Sequence, residues 1–204
     1  MTGCVSIHDV NPRAVRTGTA PGNALTPEEI KLHLRIDADD ATQDVPLLAY
    51  AAAAEEAARK MADRTCLSGS WIQYMDEFPS EIRLMNSPVT AITNVKYYDT
   101  AGTLQTLSSS AYLSDLNQEP AVIVPATGYS WPAVQSDRPG AAYVTYTAGY
   151  ADASSIPADM KLGMIHLVAH WYENREPVVV GSTPTNLPWV AEQLIRGCWT
   201  GFMW

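Results

Sequence analysis

Cysteine is scarce in this chain, and basic residues are outnumbered. Cys4, Cys66 and Cys198 are odd in number, far apart and in no CxxC pair, which argues against both a disulfide framework and a thiolate zinc site. The 13 Lys and Arg face 22 Asp and Glu, a formal charge of −9, and no stretch gathers the basic residues into a cluster. A protein that grips nucleic acid by its phosphates needs such a cluster, so tight DNA binding is not expected. Long apolar runs are missing too. Each is broken by a charge, His, Pro or Gly before the roughly 20 residues of a membrane helix, and no membrane partner is expected. Residues 1–24 hold no continuous apolar segment of the kind a secretory signal uses, which points to synthesis in a reducing cytosol.

Catalytic signatures are equally sparse. The chain has no G-x-S-x-G elbow, no G-x-x-x-x-G-K-[ST] phosphate loop and no G-x-G-x-x-G fingerprint. One stretch invites a metal reading. In GMIHLVAHWYENRE, His166, His170 and Glu173 fall on one helical stripe with Asp159 at 100° per residue. A zincin would place a glutamate after the first histidine as general base. Leu167 stands there, so the catalytic version lacks its base. A metal-dependent hydrolase built on His166, His170 and Glu173 is the lesser alternative. The stripe reads first as a subunit-interface or buried polar stripe, because the rest of that helix is apolar almost all round. Neither cofactor, essential metal nor catalysis is expected.

What the chain does have is 47% hydrophobic residues over a length able to bury a sizeable core. Residues 1–24 mix Pro, Gly, Thr and Ala without period and are expected to form a flexible arm. LTPEEIKLHLRID then marks a helix start: Thr26 caps, Pro27 fits the first turn, and Glu29 completes a T-x-x-E box. After DADDATQD a longer helix runs to about Arg64, beginning between Ala41 and Val45 because Pro46 is tolerated only in a first turn. Its run of alanines keeps it thin, so that another helix can approach closely.

From Leu67 to Tyr150 the hydrophobic period falls from near 3.6 to 2. SWIQYMDEF, EIRLM, AITNVKYYD, AVIVP and AAYVTYTAGY read as short antiparallel strands separated by turn signals. Helix resumes at Pro157 and continues to about Arg175, and a last short helix lies near Trp189 to Cys198. The fold class is therefore α+β, a helical core (two N-terminal and two C-terminal helices) with an inserted antiparallel β subdomain. By residue, 1–24 form the arm, 25–66 and 151–204 the helical core with its C-terminal tail, and 67–150 the β insertion.

The order of LTPEEIKLHLRID, the Ala-rich helix, PVTAITNVKYYDTAGTLQTL, VTYTAGY, IPADMKLGMIHLVAHWYENRE and a closing LP helix resembles the head-to-tail connector (adaptor, or head-completion) proteins of tailed bacteriophages, across about residues 25–200. The resemblance implies a structural virion protein of the neck, assembled in the host bacterial cytoplasm as a twelve-fold ring beneath the portal. Such a ring extends the DNA channel, passes genomic DNA without sequence-specific binding and offers a platform to the next neck, stopper or tail protein. Another neck or tail-completion protein of similar fold is the alternative. A ring needs two side faces related head to tail, which apolar surface left over on thin helices would supply. An acidic balance also suits a conduit whose wall must not hold phosphates, although solubility explains it equally well. Trp189 and Trp199 suit either the chain's own core or a partner. Trp199, Phe202, Met203 and Trp204 together are read as an anchor for the portal or the adjacent subunit, since aromatics are common interface anchors.

Overall fold

The computed structural model describes residues 12–18, 22–174 and 188–199. Eight strands and four helices are named within them: β1 (Arg13–Thr17), α1 (Pro27–Leu34), α2 (Asp44–Ala62), β2 (Gly69–Met75), β3 (Ile82–Arg83), β4 (Val89–Tyr98), β5 (Leu104–Leu107), β6 (Tyr112–Asp115), β7 (Val122–Pro125), β8 (Ala142–Ala148), α3 (Ala158–Glu173) and α4 (Trp189–Arg196). The chain is α+β, with two antiparallel sheets of five and three strands, ordered β1-β2-β8-β4-β5 and β3-β7-β6.

Local chemistry explains the helix starts. The Glu29 N–H donates to Thr26 Oγ1 at 3.3 Å while the Thr26 N–H donates to Glu29 Oε2 at 3.0 Å, so the box read from the sequence closes in both directions. Helix α2 starts at Asp44 with Pro46 in its first turn, where the missing N–H costs no intrahelical bond. Ala51, Ala54, Ala58 and Ala62 are buried on one side of it. Lacking side-chain bulk, they let α3 close in with Met160, Met164 and Leu167, all fully buried. Helix α4 packs on the same group through Ala191 and Ile195.

The sheets make a second core. Trp71, Val95, Val144 and Tyr146 line the inner face of the five-stranded sheet and meet Ile82, Leu84, Ala121 and Ile123 from the smaller sheet side. Strand β8 alternates buried and half-buried residues without a break, the period-2 signature of a sheet with one face covered.

The flexible-arm expectation needs correction. Residues Arg13–Thr17 are a strand, paired in register with Tyr74 through Ser70 of β2, and Ala24 is buried. Pairing gives this edge its backbone partners, and Arg16 lays its guanidinium over Trp71 at 5.8 Å. Strands β5 and β6, four residues each, also add to those expected.

Gly163 marks the tightest helix crossing. A Cβ there would lie 2.7 Å from Ile195 Cγ1 and 3.2 Å from the Ala191 carbonyl oxygen. Gly163→Ala should therefore destabilise the chain by about 1–3 kcal/mol through overpacking, less up to about 1 kcal/mol regained in helix propensity. Urea unfolding measures it, and Ile195→Val in the same background should return part of the loss. A Gly163→Ala variant more stable than wild type by about 1 kcal/mol, the full helix-propensity gain, would mean that α3 and α4 do not cross this closely.

Candidate assembly surfaces

The α3 stripe sits beside α1. The His166 ring meets the His33 ring edge-on at a centroid distance of 5.2 Å, and Lys161 Nζ reaches Glu29 Oε1 at 2.6 Å one turn earlier. Partial burial works against the Glu29 carboxylate, but the Lys161 ammonium and the Thr26 N–H outweigh it and hold its pKa below the ordinary value. Capping and helix docking thus share one carboxylate.

Asp159 and Glu173 are exposed and His166 and His170 are half-buried, so the structure corrects the buried form of the stripe. It is a partly open polar surface. Asn174 Nδ2 donates to the His170 carbonyl at 2.9 Å and lies 3.4 Å from His170 Nδ1, closing the end of the helix. Among the described residues no three His, Cys, Asp or Glu are grouped to hold a metal ion. His166, His170 and Glu173 share a stripe without forming a ligand set. Cys66, 1% exposed, is packed beside Met164, and burial pushes its thiol well above the usual range, which removes it as a nucleophile.

Helix α4 presents the other candidate surface. Ala191 and Ile195 face the core, while Trp189 is 71% exposed, Val190 49% and Trp199, just beyond the helix, 45%. Two indoles and a valine on one short segment are costly to leave in water and suit a partner. Trp199 is thus partly open to solvent in the single chain. Phe202, Met203 and Trp204, expected to act with it, lie outside the described residues. Among the described residues no helix is long and apolar enough to cross a membrane.

Where α2 ends, Asp63 takes a left-handed conformation (φ 51°) and its Oδ1 accepts the Asn86 N–H at 3.2 Å. Burial raises its pKa to about 6, against the pull of that N–H and of Arg59 and Arg64. The adjoining Arg64 guanidinium donates to the Cys198 carbonyl after α4, to the Tyr150 hydroxyl at 2.8 Å and to both carboxylate oxygens of Glu119. The α4 surface is therefore tied to both sheets by one side chain. Neither His33 nor Arg64 stood out in the sequence, because their partners lie far along the chain.

With that geometry in place, comparison with known proteins is informative at the level of fold. No protein-family model and no curated protein sequence matches the chain. Solved structures do. A chain from the neck of an empty gene transfer agent particle, computed with C6 symmetry, superposes with a TM-score of 0.73 at 22% identity, covering 94% of this chain and 97% of the other. A chain from the neck of the native particle, computed with C12 symmetry, gives 0.70 at 20% identity with the same coverage. One from the native virion gives 0.72 at 22% identity. The chain therefore shares, over nearly its whole length, the fold of neck proteins of a phage-like particle.

Asp63 offers a direct check of the junction. Its native pKa, about 6 against an ordinary 3.8, means that the folded chain keeps a proton that the unfolded chain has already lost. Its contribution therefore falls as pH rises through that window. Asp63→Asn removes the dependence, so between pH 4 and pH 8 the stability difference should move in favour of the variant by on the order of 2 kcal/mol. Denaturant melts at the two pH values measure it. A difference independent of pH would mean that Asp63 ionises as freely in the folded chain as in the unfolded one.

Proposed function

We propose that the chain is a structural component of a phage-like neck, forming a ring between head and tail that extends the DNA channel and carries the next neck or tail protein. The observation that carries this reading is the full-length match to chains from necks computed with C12 and C6 symmetry. A match confined to one sheet or one helix pair would carry no such weight. The surfaces agree with it. Thin helices leave apolar side chains over, among them Leu32, Val45, Leu162, Trp189 and Val190.

Under this reading the partners are further copies of the chain, twelve to a ring, the portal above and a stopper or tail protein below. Genomic DNA passes without sequence-specific contact, and an acidic chain suits that passage because its wall does not hold phosphates. The helices of 25–66 and 151–204 act as the ring body with the β region of 67–150 as its elaboration. The stripe of Asp159, His166, His170 and Glu173 lies at or near a subunit contact. Trp199, with Phe202, Met203 and Trp204, anchors the ring to the portal or to the adjacent copy. The site of action is the virion neck, after assembly in the host cytoplasm.

Deleting residues 202–204, together with Trp199→Ala, tests the anchor. The expected outcome is an unchanged melting temperature with co-sedimentation on portal-bearing capsids reduced at least tenfold, since each fully buried aromatic contributes about 1.5–3 kcal/mol before ordering costs. Avidity multiplies the loss around a ring. A large drop in melting temperature with full capsid binding would place these side chains in the chain's own core. The ring itself is tested by electron microscopy of the full-length chain, alone and with portal. Particles without rotational symmetry in both cases would defeat it.

A further inference from the structure

The outer face of the five-stranded sheet is charged unlike the rest of the molecule. Its strands are in register, so one row crosses the whole sheet: Arg13 on β1, Tyr74 on β2, Tyr143 on β8, Lys96 on β4 and Thr106 on β5. The guanidinium of Arg13 lies 5.5 Å from the Tyr74 ring centre, and the Tyr74 and Tyr143 rings are 5.6 Å apart. The next row begins with Val15 and Ile72. Among the described residues no Asp or Glu points from these strands onto this face, in a chain with a net charge of −9. The carboxylates at the strand ends are engaged in turns: Asp76 accepts the Gly140 N–H at 2.6 Å, and Asp99 accepts from Ala101, Thr103 and Gln105. Neither Arg13 nor Lys96 has an ion-pair partner among the described residues. Two cations about 14 Å apart, at three strand spacings, thus flank a pair of tyrosines beside an apolar second row.

The complement of that face lies elsewhere on the same chain. In the turn between α1 and α2, Asp37 and Asp39 are exposed and without ion-pair partners among the described residues. The two helices that bound it expose Leu32 (82%) and Val45 (78%). This corner is at the start of α2, whose 19 residues span about 28 Å. The sheet joins at the other end of that helix, and β2 then carries Tyr74 about 17 Å further from Gly69. Among the described residues no hydrogen bond or ion pair joins this corner to that face within the chain, which leaves both open to a second molecule.

We propose that the outer sheet face around Arg13, Tyr74, Tyr143 and Lys96 receives the acidic, leucine-flanked corner around Asp37 and Asp39 of a second copy, as one joint of the ring. The inference rests on the ring reading above and adds which two surfaces meet. Such a joint is heterologous, with unlike surfaces on the two copies, and a repeated heterologous joint is what closes a ring. Cations opposite carboxylates set orientation, and the tyrosines and valine against Leu32 and Val45 supply apolar burial.

The test uses two full-length variants. R13E/K96E makes the face acidic, and D37K/D39K makes the corner basic. Each alone should self-associate at least tenfold more weakly than wild type in sedimentation velocity, because every joint then opposes like charges. Mixed one to one they should assemble again, since each face now meets an opposite corner when the two kinds alternate. Thermal melts establish that both variants are folded. Zero-length carbodiimide coupling of a mixture of ¹⁵N-labelled and unlabelled wild type should independently link Lys96 of one copy to Asp37 or Asp39 of another. Folded variants that assemble as well as wild type, or a mixture that stays dissociated, overturn the joint. So do intermolecular links that never include Lys96. A wild-type chain that associates neither alone nor on portal-bearing capsids overturns the ring reading itself. If fluorescent duplex DNA binds wild type, is lost on R13E/K96E and leaves assembly intact, the face serves phosphates and the joint is wrong.

Discussion

From Asp63 to Ser68 the backbone runs between two neighbours that would otherwise not meet. The Thr65 N–H donates to the Ser87 carbonyl at 2.8 Å and the Ser87 N–H to the Asp63 carbonyl at 3.0 Å, while on the other side Ser68 and Cys66 exchange bonds with Tyr150. Gly149 makes this possible. With φ at 113° and a missing Cβ that would fall 2.5 Å from the Leu67 carbonyl group, no other residue fits there without moving the strip. Arg64 then reaches from the strip to Glu119 in the β region, to Tyr150 and to the end of α4. A helical core and a sheet core, each with its own buried cluster, are held in one relation by six residues of chain. With Arg59, which donates to Asn86 Oδ1 at 3.0 Å and lies over the Trp71 ring, this junction fixes the position of a surface on one core relative to the other.

The consequence for assembly is geometric. Helix α2 ends at the junction and begins at the acidic corner, so it acts as a spacer whose length sets how far that corner stands from the sheet. Helices α3 and α4 are fastened along it through alanines and one glycine, contacts that tolerate little sliding because a close crossing has no soft side chains to rearrange. A ring subunit repeats its angular error at every joint. In the proposed ring, rigid coupling between the two contacting surfaces is therefore a requirement for closure, one that short-range packing of small residues suits.

How much of this was legible in the sequence depends on whether the partner was local. The capping box at Thr26 and Glu29 spans three residues and was readable outright, as was the first-turn Pro46. The change of period across residues 67–150 marked the sheets because β4 and β8 are long enough to repeat. Strand β1 was hidden: RAVRT is five residues amid Gly, Pro and Thr, and its strand state comes from β2, more than fifty residues away. The α3 stripe could be drawn by angle alone, yet nothing local said that α1 would cover only part of it through His33. The exposure of Trp189 was equally out of reach, since the indole carries the same apolar signal whether it faces Ile195's side of α4 or water. The cationic row across the sheet is the extreme case. Arg13, Tyr74, Tyr143 and Lys96 become neighbours only through three registers of pairing.

Net charge is then a poor guide to how copies meet. Two molecules at −9 repel at long range, but in physiological salt that repulsion is screened beyond a Debye length of about 8 Å, so contact is decided by what each patch presents. Spreading the negative charge evenly would leave every approach unfavourable and keep the chain monomeric. A sheet face free of carboxylates and a helical corner carrying Asp37 and Asp39 leave the global repulsion in place against random association, and in the proposed joint make one relative orientation an exception. In the proposed joint the cations of the sheet are engaged between copies. The net balance of the chain stays acidic, which under the proposed ring suits a wall along which duplex DNA passes without being held.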